Sequence, residues 1–290
     1  MSSARVDGEG NGESAAFCAD LVRTHDFARY ASTLFVPASQ RRALLALYAF
    51  NVEISRVREQ VSQPLPGEMR LQWWTDMLAG AGHGGVEGNP AAAELNLAIR
   101  DFRLPVERLS RLIDEHQFDL YNDPMPSMPA LEGYIDGTSA ALFSLAAGIA
   151  GRRSDEIEHL AHHAGLAQGI AHVIGGLPLD AARRQLFVPL PLLQQHGSSM
   201  EEVFAGKLTP GIRAALDQLI GEAKEHLKTA FVLLADTPPE VKPVFLPLAL
   251  VRRTLERMSR AASDPFTPHA TSRFRTLWTL WRAARSREFS

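Results

Sequence analysis

After residue 14, apolar residues recur at helical spacing almost without a break, and no run shows the apolar–polar alternation of a half-buried strand. That feature confines the chain to an all-α fold. Ser39 stands as the N-cap of QRRALLALYAFNVEISRVREQV, where Leu44, Leu45, Leu47, Tyr48, Ile54 and Val57 form an apolar stripe. Pro64 and Pro66 end that helix, and GEMRLQWWTDMLAG follows, closed by the glycine-rich AGHGGVEGNP. Pro90 and Pro105 sit where first-turn prolines belong, opening AAAELNLAIRDF and VERLSRLIDEHQFDLYN. ALEGYIDGTSAALFSLAAGIAG and SDEIEHLAHHAGLAQGIAHVIG come next. The three prolines of GGLPLDAARRQLFVPLPLLQQHG predict a loop with short turns. Helix returns over Pro210 to Leu234, Glu240 to Ala262 and Ser272 to Arg285. No short period repeats and no linker composition intervenes. Residues 15–290 therefore read as one helical domain, and residues 1–14, without apolar periodicity, as a disordered leader.

Charge and cysteine content exclude several functions. A net charge of −3 gives no global basic field for nucleic acid. The lone Cys18 excludes an intramolecular disulfide and any multi-cysteine metal site. No apolar run reaches the roughly 18 residues of a spanning helix. The opening MSSARVDGEGNGES has no apolar signal core, and Asp7, Glu9 and Glu13 argue against a transit peptide. A cytoplasmic protein is expected, with room for contact at the inner face of a membrane. The charge is uneven: residues 241–290 hold ten Lys/Arg against three acids, so that end is about +7 and the remainder about −10.

Single clusters leave their chemistry open. His159, His162 and His163 share one helix, and the i, i+4 pair fits either part of a metal site or a solvated face. Asp114, Glu115 and Asp119 form an acidic group, but five-residue spacing aligns Asp114 and Asp119 imperfectly. Cys18 has no neighbouring base to activate it. Small residues in TSAALFSLAAGIAG and GLAQGIAHVIGG allow either close helix packing or space for a long apolar ligand.

With the upstream HDFARYASTLFVP, the run RRALLALYAFN resembles the opening of the squalene/phytoene synthases, which join two prenyl diphosphates head to head. Further landmarks follow in order: LQWW at Leu71–Trp74, LIDEHQFDL at Leu112–Leu120, Tyr134 with Gly137, Gly165–Gln168, Phe187-Val188-Pro189 and LPLALVRRTLERMSR. The resemblance covers roughly residues 16–287. It implies a single isoprenoid-synthase-like helical domain around a central cavity lined by segments 44–59 and 165–180. Two aspartate-rich motifs would hold magnesium there against the substrate diphosphates. Hard cations are needed because allylic diphosphate cleavage builds negative charge on the leaving group.

The chain departs from the family at those motifs. The first falls on Ser55, Arg56 and Glu59, the second on His172 to Gly176 with Asp180 at its last acidic position. The family's Gly-Arg-x-Tyr-Leu-Pro becomes Arg184 to Pro189 without its glycine, arginine and tyrosine. Each unneutralised contact in a low-dielectric site costs several kcal/mol of barrier, and about 1.36 kcal/mol is tenfold in rate. AFNVEISRVREQVSQ, MRLQWW, GLAQGI and RRQLFVP are similar to the branch formed by a mitochondrial complex I assembly factor with a squalene/phytoene synthase domain. That resemblance implies a non-catalytic helper with a respiratory-complex subunit or assembly protein as partner, and no cofactor.

Two other readings distribute roles differently. A true condensing transferase would use Glu53, Glu59, Asp114, Asp119 and Asp180 around Mg2+, with Glu59 and Asp180 as metal ligands. A metal-independent carrier would bind the anionic head of an isoprenoid or acidic lipid with Arg56, Gln168, His172, Arg183 and Arg184. Arg56 has a plainer option, pairing with Glu53 or Glu59 in its own helix. At the basic end, Phe274, Trp278 and Trp281 share one helical face. That face either completes the core or, if exposed, suits an anionic membrane.

Overall fold

Helical periodicity is realised throughout. A computed structural model of the chain describes residues 3–81 and 88–289, with side chains from residue 12, and every regular element among the described residues is helical. Most of the glycine-rich stretch AGHGGVEGNP lies outside them. The chain forms two compact units, each drawn from three stretches of sequence.

The first unit comprises residues 1–120, 144–153 and 238–244. It contains α1 (Ser3–His25), α2 (Phe27–Thr33), α3 (Ala38–Ser55), α4 (Val57–Gln60), α5 (Pro64–Leu78), α6 (Pro90–Phe102) and α7 (Val106–Glu115). α1 includes most of the segment expected as a leader. Its core forms where α1, α3 and α6 pack on one another, with Leu44, Leu47, Phe50, Ile54 and Leu95 fully buried. Trp74 packs edge-on against Phe50 (5.0 Å) and is buried, while Trp73 beside it is half-buried. Two expectations for α3 are corrected. Pro37, not Ser39, occupies the N-cap position: its carbonyl accepts the Gln40 and Arg41 amides (3.0 and 3.1 Å), and no side chain caps the helix. Its end comes at Ser55 rather than at the prolines, since Arg56 leaves helical geometry (φ −99°, ψ 6°) and α4 is a separate turn. Pro64 opens α5.

The second unit comprises residues 121–143, 154–237 and 245–290. It holds α8 (Met128–Ile135), a π-helical turn at Asp136–Ala140, the start of α9 (Ala141–Ile149), α10 (Asp155–Ala182), α11 (Leu190–Gln195), α12 (Met200–Phe204), α13 (Pro210–Ala235), α14 (Pro247–Met258) and α15 (Arg273–Ala283). α10 is its axis, packed along α13 and against α14 and the π turn. Ser154 starts it by accepting the Ile157 N–H (3.4 Å). The helix then continues through Pro178 to Ala182, where prolines had predicted a loop. Pro178 lacks the N–H that would bond the Ile174 carbonyl, and the packing of α10 along α13 and α14 carries the helix across that gap. The small residues of α10 serve close packing: a Cβ on Gly165 would sit 2.4 Å from the Ala140 Cα, and one on Gly169 would sit 2.4 Å from Ile135 Cγ2.

Candidate functional site

The helical break after Ser55 places the first family motif at the end of α3. Glu53 is half-buried there and Glu59 is exposed. Because Arg56 interrupts the helix, its side chain folds over the next turn. Its Nε donates to Glu59 Oε2 (2.8 Å), and Nη1 lies 3.0 Å from His25 Nε2 at the end of α1. The plain pairing option for Arg56 is thus realised, with Glu59 as partner. A guanidinium stands where the family places carboxylates, and it neutralises the one acid left in the run.

The later acids of the first unit divide. Asp114 is exposed on α7. Asp119, in the 3-10 turn Phe118–Leu120, has Oδ2 2.7 Å from Nδ1 of the buried His116. Asp119 therefore takes part in a local polar contact, while Asp114 faces water. Glu115 between them is held above the ordinary carboxylate range, chiefly by burial, with Arg111 opposing.

In the second unit, one helix carries Gln168, His172 and Asp180. Gln168 and Asp180 are half-buried and His172 is exposed. Asp180 curls back over the preceding turn, so that a Cβ on Gly176 would meet its Oδ2 at 2.9 Å. Its carbonyl accepts the Arg183 and Gln185 amides and thereby closes α10. Arg183 is half-buried at that cap. Arg184 takes a left-handed conformation (φ 55°), which turns its side chain outward. There it pairs with Glu201 (2.7 Å) and covers the Phe204 ring at 4.7 Å. The following strip is fixed by backbone: Met125 donates to Leu186 O and accepts from Leu190 N. Phe187 consequently packs on Tyr134, with ring centroids 5.6 Å apart.

One polar assembly escaped the sequence reading, and another was read only in part. Asp26 caps α2 by accepting the Arg29 amide (3.0 Å) and pairs with the Arg29 guanidinium (2.6 Å). That guanidinium lies 5.7 Å from the Tyr48 ring centroid, and burial pushes the Tyr48 phenol up to about 12. The i, i+3 spacing of Asp26 and Arg29 was the available signal. The other is a histidine group. His163 Nδ1 lies 2.8 Å from His226 Nδ1 on α13, and its Nε2 lies 3.0 Å from His159 Nε2. His162 reaches Asp136 in the π turn (3.0 Å). His226 is 63 residues from His163 in sequence, so no local pattern announces it.

Magnesium of the kind the family uses needs convergent carboxylates. The first motif offers Glu59 alone, already paired with Arg56, and the second offers Asp180 alone. Among the described residues, no group of three or more His, Cys, Asp or Glu could hold a metal ion. The donor set does not fit a magnesium cluster.

The model of the squalene/phytoene synthase family matches residues 22–282. The chain is 32% identical over 267 residues to the mouse protein named NADH dehydrogenase (ubiquinone) complex I, assembly factor 6, covering 92% of this chain and 80% of that one. It is 22% identical to a phytoene synthase of Rhodobacter capsulatus, covering 93% of this chain and 80% of that one. Its fold superposes on a dehydrosqualene synthase solved with a ligand at a TM-score of 0.82 and 12% identity, covering 94% of this chain and 96% of that one. The chain belongs to the squalene/phytoene synthase family.

Proposed function

We propose that this chain is a non-catalytic squalene/phytoene synthase-like protein that helps assemble a respiratory NADH dehydrogenase complex. The observation that carries the reading is the Arg56 guanidinium on Glu59, in the run where a condensing enzyme needs carboxylates for metal. Identity to the assembly factor exceeds identity to the phytoene synthase over similar spans, which supports the same conclusion. No helix among the described residues is long and apolar enough to cross a membrane. The helper would then work in the cytoplasm or peripherally at the inner face of the membrane. Its partner would be a subunit or assembly protein of the complex, and its ligand an isoprenoid or acidic lipid held without metal.

Two measurements test this. Purified protein incubated with farnesyl or geranylgeranyl diphosphate, Mg2+ and NADPH should form no squalene or phytoene on lipid analysis. Repeated turnover that vanishes in a Glu59→Ala/Asp180→Ala variant would instead establish a transferase. In the host, deletion of the gene should reduce the assembled dehydrogenase on native gels. The wild-type chain and that same double variant should restore it equally.

A further inference from the structure

The C-terminal helix α15 is built with its polarity reversed. The side facing the protein carries hydroxyls: Thr276 and Thr279 are buried together with Leu280. Thr279 Oγ1 accepts from Arg253 Nη1 on α14 (2.7 Å) and donates to the Arg275 carbonyl (2.8 Å). The opposite side carries the aromatics, with Phe274 76%, Trp278 48% and Trp281 42% exposed and Leu277 at their flank. These four, within eight residues, are a third of the large apolar side chains that are exposed among the described residues. Such clustering marks an interaction surface, unlike singly scattered apolar residues.

The aromatics are also arranged together. Trp278 and Trp281 stack with centroids 5.1 Å apart and planes 17° apart, and the Arg285 guanidinium lies 4.0 Å from the Trp281 ring centroid. Arg273, Arg275, Arg282, Arg285 and Arg287 are all exposed around them, and the helix has no acid. Glu288 beyond it pairs with Arg252 (2.8 Å). A second copy on this face would set arginines against arginines, so charge disfavours self-association. An anionic bilayer surface answers both halves. Indole and phenyl rings partition into the headgroup boundary, and arginines meet lipid phosphates. Eleven residues span only about 16 Å, so the helix lies in the interface plane rather than across it.

We infer that α15 is a membrane-docking helix whose Phe274, Trp278 and Trp281 enter the headgroup–acyl boundary of an anionic bilayer while Arg275, Arg282 and Arg285 contact phosphates. This does not rest on the assembly role, which vesicle binding leaves untouched. The test is co-sedimentation of the full chain with phosphatidylcholine vesicles, with and without phosphatidylglycerol. Wild type should bind the phosphatidylglycerol vesicles, less so as salt rises. Arg275→Gln/Arg282→Gln/Arg285→Gln should partition about a hundredfold more weakly, at roughly 1 kcal/mol for each arginine. Phe274→Ser/Trp278→Ser/Trp281→Ser should lose binding while its circular dichroism and melting match wild type, since the replaced side chains are exposed. Absence of wild-type binding, or equal binding by the aromatic variant, overturns the inference. So does a lipid-free dimer that the aromatic variant dissociates, which would give the face to a second copy.

Discussion

Among the described residues, Glu94 is the one acidic side chain that is buried, at 2% exposure. Arg42 satisfies it with a two-pronged contact, Nε to Oε2 at 2.6 Å and Nη2 to Oε1 at 2.7 Å, which ties α3 to α6. Beside it, burial and then the Glu94 charge push the Cys18 thiol up to about 12, which keeps that cysteine protonated and unreactive. Removal of Arg42 leaves a charge inside the unit without its counter-ion. We expect Arg42→Ala to cost about 2 kcal/mol in urea unfolding, somewhat below a fully buried pair because water reaches the arginine's flank. Arg42→Ala/Glu94→Leu should recover part of that loss. A single variant as stable as wild type would show that the pair contributes nothing. Such a pair was invisible in the sequence because its members are 52 residues apart. The Arg56–Glu59 pair, three apart, was legible as one of two options. Spacing named the candidate partners of Arg56, and the break of α3 decided between them.

At the scale of elements, helix type was legible, and so were the starts of α6, α13 and α15 at Pro90, Pro210 and Ser272, whereas the limits of α3 and the end of α10 were not. The α10 segment shows why: Pro178 removes one backbone donor, but packing along α13 and α14 outweighs that local cost and the helix runs on. The same packing creates the histidine group, which depends on pH. Burial, then His226, His159 and His162, push His163 down to about 4. His226 is lowered mainly by burial, with Glu132 of α8 and Glu222 of α13 opposing, and Asp136 faces His162. An unfolded histidine titrates near 6.5. Between about 6.5 and 4, the unfolded chain takes up a proton that folded His163 refuses, so stability falls as pH drops through that window. Calorimetry from neutral pH to about 4.5 should show the melting temperature fall less in His163→Gln than in wild type. Parallel curves for the two proteins would remove His163 from the acid response.

For the whole molecule, chain order and compact units do not coincide. The grouping of distant stretches into units was not legible in composition, because it rests on contacts across more than a hundred residues. The first unit needs residues 144–153 and 238–244 as well as 1–120. Leu145, Ile149, Val241 and Val244 are buried in those two short stretches. Arg153 donates to the Phe102 carbonyl (2.6 Å), and Arg152 reaches Glu240 (3.2 Å). Each buried aliphatic side chain contributes about 1.5–3 kcal/mol, so four of them contribute an amount comparable with the whole stability of a typical domain, about 5–15 kcal/mol. A fragment of residues 1–120 lacks all of this, even though it holds α1 to α7 complete. It should therefore retain some helix by circular dichroism and melt without a cooperative transition, while the full chain melts sharply. A sharp transition in the fragment would mean that the α1, α3 and α6 core suffices alone.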